Sequence, residues 1–305
     1  MEEKRNIIIT GCSGFIGSRL TEYLSDKYNV IGIDREGEDN VVYSHYTFIK
    51  GDINNPKTLN TLRDDLDIYA VIHLAAKAGV RESQSQFEQY VKDNILGTKA
   101  ILDMCVEHWK PKVFLAASSS SVYGDKICVE SVVNDYIKPK SLYAMTKVTM
   151  EATIQTYVNN GLLKGCNAKC LRIFTCYGPN QRKGLAIRTF IDNILQDKPI
   201  TVYGDGTQSR DWTYIDDLCR FIQDIMEYPS SYDNIINAGS SKTHTINDII
   251  YLISKITGKD VTIKYKPMNR YDVMETRSNK TLIGKLTPLE EGLIKQIEWT
   301  KKELY

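Results

Sequence analysis

The fold class predicted from the sequence is α/β: a doubly wound parallel sheet followed by a smaller C-terminal α+β lobe. Three observations predict it. Apolar strand-like runs alternate with amphipathic helical segments through about residue 175, the pattern of a parallel sheet covered by helices on both faces. The first strand runs into a glycine-rich turn that opens a helix, and the second strand ends in an acid. Beyond Gly178 the alternation loosens, so the C-terminal part is of a different kind.

Composition narrows the classes of partner. The 305 residues, 42% hydrophobic and 25% charged, are those of an ordinary globular chain, and ~150 residues per domain suggests about two domains. Thirty-nine basic against thirty-eight acidic residues leave a net charge of +1 with no basic block. That excludes the usual nucleic-acid and membrane-surface signatures and points to a small-molecule partner. Seven cysteines, odd in number and scattered, fit buried thiols better than a disulfide framework. Cys166 and Cys170 lack a second Cys/His pair, so no metal is expected. The chain enters a strand almost at once and has no apolar run long enough for a bilayer, so a cytoplasmic location is expected.

Taken in order, Asn6-Ile-Ile-Ile-Thr10 is a β-branched run that reads as a strand. Gly11, Gly14 and Gly17 follow, with Leu20 and Leu24 at helical spacing up to Tyr28. Such glycines allow a tight turn and bring helix N–H groups to a pyrophosphate. The next strand, Asn29 to Asp34, ends in an acid 23 positions after Gly11, where a carboxylate can accept from the adenine-ribose hydroxyls. Asp34 repels a 2′-phosphate, which favours NAD over NADP, although Arg35 beside it softens that repulsion. Then come a strand at Tyr46 to Lys50, a helix at Asn55 to Leu66 and a buried strand at Tyr69 to Ala76. They are followed by a long helix at Phe87 to Trp109, a strand from Val113, a helix from Tyr143 to about Asn159 and a strand at Ala168 to Phe174. The domains expected are 1–176, completed by a strand near 234–239, and 177–305. The second holds helices at 185–196, 215–228, 246–257 and 289–302, with extended pieces at 199–203 and 261–266.

The reactive constellation is expected where the Val113 strand ends. Four serines, Ser118 to Ser121, stand there, and Ser141 caps a helix carrying Tyr143 and Lys147. Tyr-x-x-x-Lys spacing occurs five times, beginning at Tyr23, Tyr46, Tyr136, Tyr143 and Tyr251, so context must choose. Tyr46 lies on a strand, and Pro139 interrupts the Tyr136 pair. Tyr23 and Tyr251 sit in helices with no hydroxyl-bearing strand before them. Tyr143 is therefore the expected general base, its phenol acidified by the Lys147 ammonium and a positive nicotinamide. Lys147 would also hold the nicotinamide ribose, and Ser119 would hydrogen-bond the reacting sugar oxygen.

With these residues in hand, a resemblance covers essentially the whole chain. Gly11 to Gly17, Asp34, Gly51-Asp-Ile53, His73-Leu-Ala-Ala76, Asn94, Ala117 to Gly124 and Tyr143-x-x-x-Lys147 resemble the extended short-chain dehydrogenase/reductases of the nucleotide-sugar epimerase and dehydratase type. So do Arg172 to Pro179, Arg210 to Asp217 and Pro288 to Gly292. The resemblance implies a Rossmann domain, a tightly held NAD, a UDP-sugar substrate, a homodimer pairing through the 87–109 and Tyr143 helices, and inversion at C4 through a 4-keto sugar. It puts Gly11, Gly14, Phe15, Ile16, Gly17, Asp34, Arg35, Asp52, Ile53, Leu74, Ala75, Ala76, Asn94, Ser118, Tyr143 and Lys147 on the cofactor. It puts Lys77, Arg81, Ser119, Ser120, Ser121, Thr175, Arg182, Tyr203, Arg210, Arg270 and Thr276 on the substrate. Two departures matter. Arg270-Tyr-Asp272 is one residue shorter than the family's Arg-x-Gly-Asp, and Ser120 and Ser121 replace the Asp-Glu pair of sugar 4,6-dehydratases. The second disfavours elimination. Thr276 stands where a bulky tyrosine closes the sugar pocket in some UDP-galactose enzymes, so UDP-glucose/galactose, UDP-glucuronate and UDP-N-acetylhexosamine all stay open.

Overall fold

The structure, a computed structural model, describes residues 3–37, 46–62, 66–124, 137–268, 270–279, 282 and 284–304. Cys128, one of the seven cysteines, and Tyr136, which begins one of the Tyr-x-x-x-Lys pairs, lie outside the described residues. The chain packs as two compact units, Met1–Val122 with Pro139–Arg172 and Ile222–Ile236, and Tyr123–Lys138 with Ile173–Phe221 and Asn237–Tyr305.

The central sheet is built from β1 (Asn6–Thr10), β2 (Asn29–Asp34), β3 (Thr47–Lys50), β4 (Ile68–His73), β5 (Val113–Ser119), β6 (Asn167–Ile173) and, far along the chain, a strand at Ile235–Ala238 beside β6. Counted from that strand, the order is β6, β5, β4, β1, β2, β3. The pairs β1–β2, β1–β4, β2–β3 and β4–β5 are all parallel. Ile7, Ile8 and Ile9 are fully buried, as a strand covered on both faces requires. The chain reverses its direction of travel through the sheet between β1 and β4, and the carboxyl ends on either side of that point open a crevice suited to a dinucleotide.

Three helical segments shape that crevice: α1 (Phe15–Ser25), the composite helix over 87–109, and α5 (Leu142–Asn159). The helix expected over 55–66 shrinks to α2 (Pro56–Asn60), capped by the Asn55 side chain, which accepts from the Lys57 N–H at 3.1 Å. Residues 63–65 of that span lie outside the described residues. The composite helix consists of α3 (Phe87–Val91), a π turn at Lys92–Leu96, α4 (Gly97–Met104) and a second π turn at Cys105–Trp109. An inserted π turn admits one extra residue per turn and re-aims neighbouring side chains. Here it buries Asp93 and Asn94 together.

The second unit contains β7 (Thr175–Tyr177), α6 (Ala186–Leu195), β8 (Ile200–Tyr203) and β9 (Ser209–Tyr214). After α7 (Ile215–Glu227) and the already described β10 (Ile235–Ala238) come β11 (Thr243–Thr245), α8 (Ile246–Thr257), β12 (Ile263–Lys266) and α9 (Leu289–Leu304). β9 lies between antiparallel β11 and parallel β7, while β12 pairs in parallel with β8. The sequence predicts no strands at β7, β9 or β11. They are short, and runs such as Ser-Arg-Asp carry neither β-branched enrichment nor clean alternation.

Candidate active site

The glycine turn is shaped for a close backbone approach. Gly11 has a left-handed φ of 74°, and a Cβ there would lie 2.6 Å from the Ala75 nitrogen. At Gly17 an added Cβ would come within 2.0 Å of the Gly11 carbonyl oxygen. Only glycine fits at either position. Gly14 is the N-cap of α1 and supplies no side chain to the first N–H groups, while Phe15 and Ile16, both half-buried, open the helix. The helix start therefore keeps its donors and the positive end of its dipole for an anion.

A cleft of about 220 Å³ runs from this turn past Leu74, Ala75 and Ala76 to Asp34, Arg35, Asp52, Ile53 and Asp93. Asp34 sits at the end of β2, and its carboxylate accepts from the Ser13 N–H at 2.9 Å and the Glu36 N–H at 3.1 Å. Asp52 accepts from the backbone and side chain of Asn54 at 2.9 and 3.1 Å. Arg35 is not aimed into open solvent: its two terminal nitrogens donate to the two oxygens of Asp93, at 3.3 and 2.9 Å.

Behind the cleft, buried hydrogen bonds fix the strand ends. Thr98 donates to the Asn94 carbonyl at 2.7 Å, so its oxygen must accept from His73 Nε2 at 3.0 Å. His73 Nδ1 then accepts from Thr10 Oγ1 at 2.8 Å, and that same oxygen receives the Ala75 N–H at 3.2 Å. Burial is complete, and together with the Lys147 charge it pushes the His73 pKa down to about 3. The imidazole therefore stays neutral. The Asn94 side chain accepts from the Lys77 N–H at 2.7 Å and donates to the Lys77 carbonyl and to Thr146 at 3.0 Å each. It ties the chain after β4 to α5. His73, Thr10 and Thr98 carry no signal of this role in the sequence beyond the strand-end position of His73.

At the end of β5 the serines divide. Ser118 donates to Glu151 at 2.5 Å, and Glu151 also receives Arg172 at 3.0 and 2.8 Å. Ser119 donates to Ser121 Oγ at 3.0 Å and accepts the Ser121 N–H at 3.1 Å, capping the 3-10 turn over Ser120–Tyr123. The alternation of a strand puts these neighbours on opposite faces. Ser141 caps α5 by accepting from the Ala144 N–H at 3.1 Å. Tyr143 is half-buried one residue into that helix, its ring edge-on to Tyr90 at 6.2 Å. Lys147, one turn on and 3% exposed, donates to the Ala117 carbonyl at 2.6 Å. Burial lowers its pKa to about 8, which still leaves an ammonium at neutral pH. Of the other Tyr-x-x-x-Lys pairs, Tyr251 is 68% exposed and Lys255 pairs with Glu290 at 3.0 Å.

Of the remaining candidates in the first unit, the Lys77 ammonium lies 6.0 Å from the Tyr90 ring centre, and Arg81 is exposed. In the second unit, Arg210 on β9 donates to the carbonyls of Ser209, Val273 and Met274 at 2.7, 2.7 and 3.2 Å. Thr276 meets the same strand, exchanging backbone hydrogen bonds with Ser209 and Asp211. Thr175 opens β7 and Tyr203 closes β8. Arg182 is exposed. Arg270 is also exposed and stacks on Tyr271 at 4.7 Å. Asp211, absent from the sequence reading, is fully buried and accepts from Ser240 N and Oγ, Ser241 N and Ser278 N at 2.6 to 3.0 Å.

The comparisons with known proteins agree with this geometry. The profile of the NAD dependent epimerase/dehydratase family matches residues 7–239. A UDP-glucuronate 4-epimerase of Thermodesulfobacterium geofontis (strain OPF15) is 35% identical over 320 residues, covering 97% of this chain and 96% of its own. The UDP-glucuronic acid 4-epimerase of Bacillus cereus, solved in complex with UDP-glucuronic acid and NAD, is 34% identical. It superposes with a TM-score of 0.86 over 98% of this chain and 100% of its own. A UDP-N-acetylglucosamine 4-epimerase of Methanobrevibacter ruminantium M1, solved with UDP-N-acetylmuramic acid, is 28% identical, with a TM-score of 0.89 over 99% of each chain. By a profile spanning three-quarters of its length and by full-length relatives, the chain belongs to the NAD-dependent epimerase/dehydratase family.

Proposed function

We propose that this chain is an NAD-dependent UDP-sugar 4-epimerase. The observation that carries the reading is a buried Lys147 ammonium fixed on the Ala117 carbonyl of β5, the strand that ends in Ser119, one helical turn from Tyr143. The turn at Gly11, the uncapped start of α1 and Asp34 suit the pyrophosphate and adenine ribose of NAD. When bound, NAD supplies the hydride acceptor and later the donor for C4 of the sugar. Tyr143 takes the O4 proton as the 4-keto sugar forms and returns it after the sugar has presented its other face. Lys147 favours the phenolate by its charge, and Ser119 orients the sugar oxygen. In the second unit, Arg210 suits a diphosphate by its planar donors, and Thr175, Arg182, Tyr203, Arg270 and Thr276 are assigned to the nucleotide sugar.

UDP-glucuronate is the first substrate to test, because relatives named for it match at full length. A dehydratase or decarboxylase reading is weaker, since Ser120 and Ser121 offer no carboxylic acid after Ser119. Incubation with UDP-glucuronate, UDP-glucose and UDP-N-acetylglucosamine, followed by NMR of the products, should give the C4 epimer of at least one. Loss of water or carbon dioxide instead would overturn the epimerase reading. A dinucleotide-sensing protein without catalysis would turn over none of them. We further propose a cytoplasmic homodimer pairing through the 87–109 and α5 helices; sedimentation as a single 34.8 kDa species would refute the dimer. Among the described residues, no helix is long and apolar enough to cross a membrane.

A further inference from the structure

Arg35 is the cation that the sequence places within reach of the adenine ribose, next to Asp34 in the cleft. Left to itself, a guanidinium there would pair with a 2′-phosphate and admit NADP. The structure gives its fork another partner. Its two terminal nitrogens meet the two oxygens of Asp93 end-on, at 3.3 and 2.9 Å. The Asp93 side chain is 5% exposed, whereas that of Arg35 is 47% exposed. Gln89 also holds Asp93, its Nε2 donating at 2.8 Å to the Oδ1 that receives one Arg35 nitrogen. Asp93 sits where it does because the π turn at Lys92–Leu96 turns both it and Asn94 inward.

We infer that Asp93 is a cofactor-specificity residue: by occupying Arg35 it withholds the cleft's guanidinium from a 2′-phosphate and thereby enforces NAD over NADP. This deepens, and rests on, the reading of the cleft as the NAD site. To serve a phosphate, Arg35 would have to abandon a carboxylate that is almost out of water, and stranding such a charge is costly. With the Arg35 charge compensated by Asp93, and Lys92 3.6 Å from Asp52, Asp34 and Glu36 still leave the adenine end of the cleft acidic, so a doubly charged phosphate meets net repulsion. Asp34 discriminates by what it offers the ribose, and Asp93 discriminates by what it takes away.

The test is equilibrium binding of NAD⁺ and of NADP⁺ to the full-length chain by isothermal titration calorimetry. D93N should narrow the NADP⁺:NAD⁺ ratio of dissociation constants by about tenfold, the gain of one charge-assisted pair. The gain must come through Arg35, so D93N/R35Q should return to the unaltered ratio, whereas R35Q alone leaves the Asp93 carboxylate uncompensated in the cleft and should not narrow it. An unchanged ratio in D93N, or a narrowing that survives in D93N/R35Q, overturns the inference. Should D93N not fold, the charge-neutral D93N/R35Q decides: about a tenfold loss of NADP⁺ affinity against the unaltered chain in that variant would mean Arg35 already serves the phosphate. A chain that binds neither dinucleotide defeats the reading of the cleft itself, whereas tight NAD⁺ binding with an unmoved ratio defeats only the role of Asp93.

Discussion

Each unit buries a carboxylate near its candidate residues, and the two are held by opposite means. In the first unit Glu151, 5% exposed, is neutralised by Arg172, 1% exposed, and accepts from Ser118. In the second, Asp211 is fully buried among neutral donors, the N–H groups of Ser240, Ser241 and Ser278 and the Ser240 hydroxyl. Burial raises the Asp211 pKa, and the four donors pull it only part of the way back. An ion pair fixes side chains between α5, β5 and β6, so the strand end that carries Ser119 and receives Lys147 is anchored by charge. A backbone cradle instead fixes the loops at 240–241 and 278 against β9. The first arrangement holds the proposed reactive geometry, and the second holds the proposed binding surface.

The largest effect tests the purpose of the anchored strand end. Tyr143→Phe should lower turnover by roughly 10²–10⁴-fold, as loss of a general base does, while UDP-sugar affinity measured by calorimetry stays within a few-fold. A rate near that of the unaltered enzyme would move the base elsewhere. Next come the two carboxylates. Glu151→Gln strands the Arg172 guanidinium and should cost about 3–5 kcal/mol in denaturant unfolding. Asp211→Asn turns an NH₂ toward donors and should cost about 1–3 kcal/mol. Equal losses would erase the distinction drawn between them.

Acid should then separate the units further. The His73 pKa near 3 lies below the value of an unfolded histidine. As pH falls, the unfolded chain therefore takes up this proton first, and stability is lost from about pH 6.5 downward, by ~2 kcal/mol at pH 5 from this residue. In a His73→Gln chain that part of the slope between pH 6.5 and 5 should vanish from the unfolding midpoints. The smallest effects compare two arginines of the second unit. Arg210→Ala removes donors from three carbonyls and should raise the UDP-sugar KM by about tenfold. Arg270→Ala loses an exposed ring contact worth about 0.5–1 kcal/mol and should change KM no more than a few-fold.

Much of this was legible before any coordinates. Local periodicity carried the alternation of strands and helices, because buried parallel strands are continuous apolar runs and the covering helices repeat every 3.6 residues. The choice of Tyr143 among five equivalent spacings rested on what precedes its helix, a serine-bearing strand end and the Ser141 cap. The three-stranded sheet around β9 escaped notice because its strands are three to six residues long and polar at their starts.

By itself, the sequence determined the order of elements through β6, the glycine turn with its acid partner, and the one-turn spacing of Tyr143 and Lys147, since all of these depend on neighbours a few residues apart or on the regular succession of segments. Tertiary structure alone decided that Ser118 turns to Glu151 while Ser119 caps the turn beyond it. It also decided that Arg35 is taken by Asp93, 58 residues away, and that Asp211 gathers donors from loops up to 67 residues distant. Those partners are chosen by burial, where a charge or a polar group must find whatever complement the fold brings within 3 Å or so. No spacing along the chain encodes that distance.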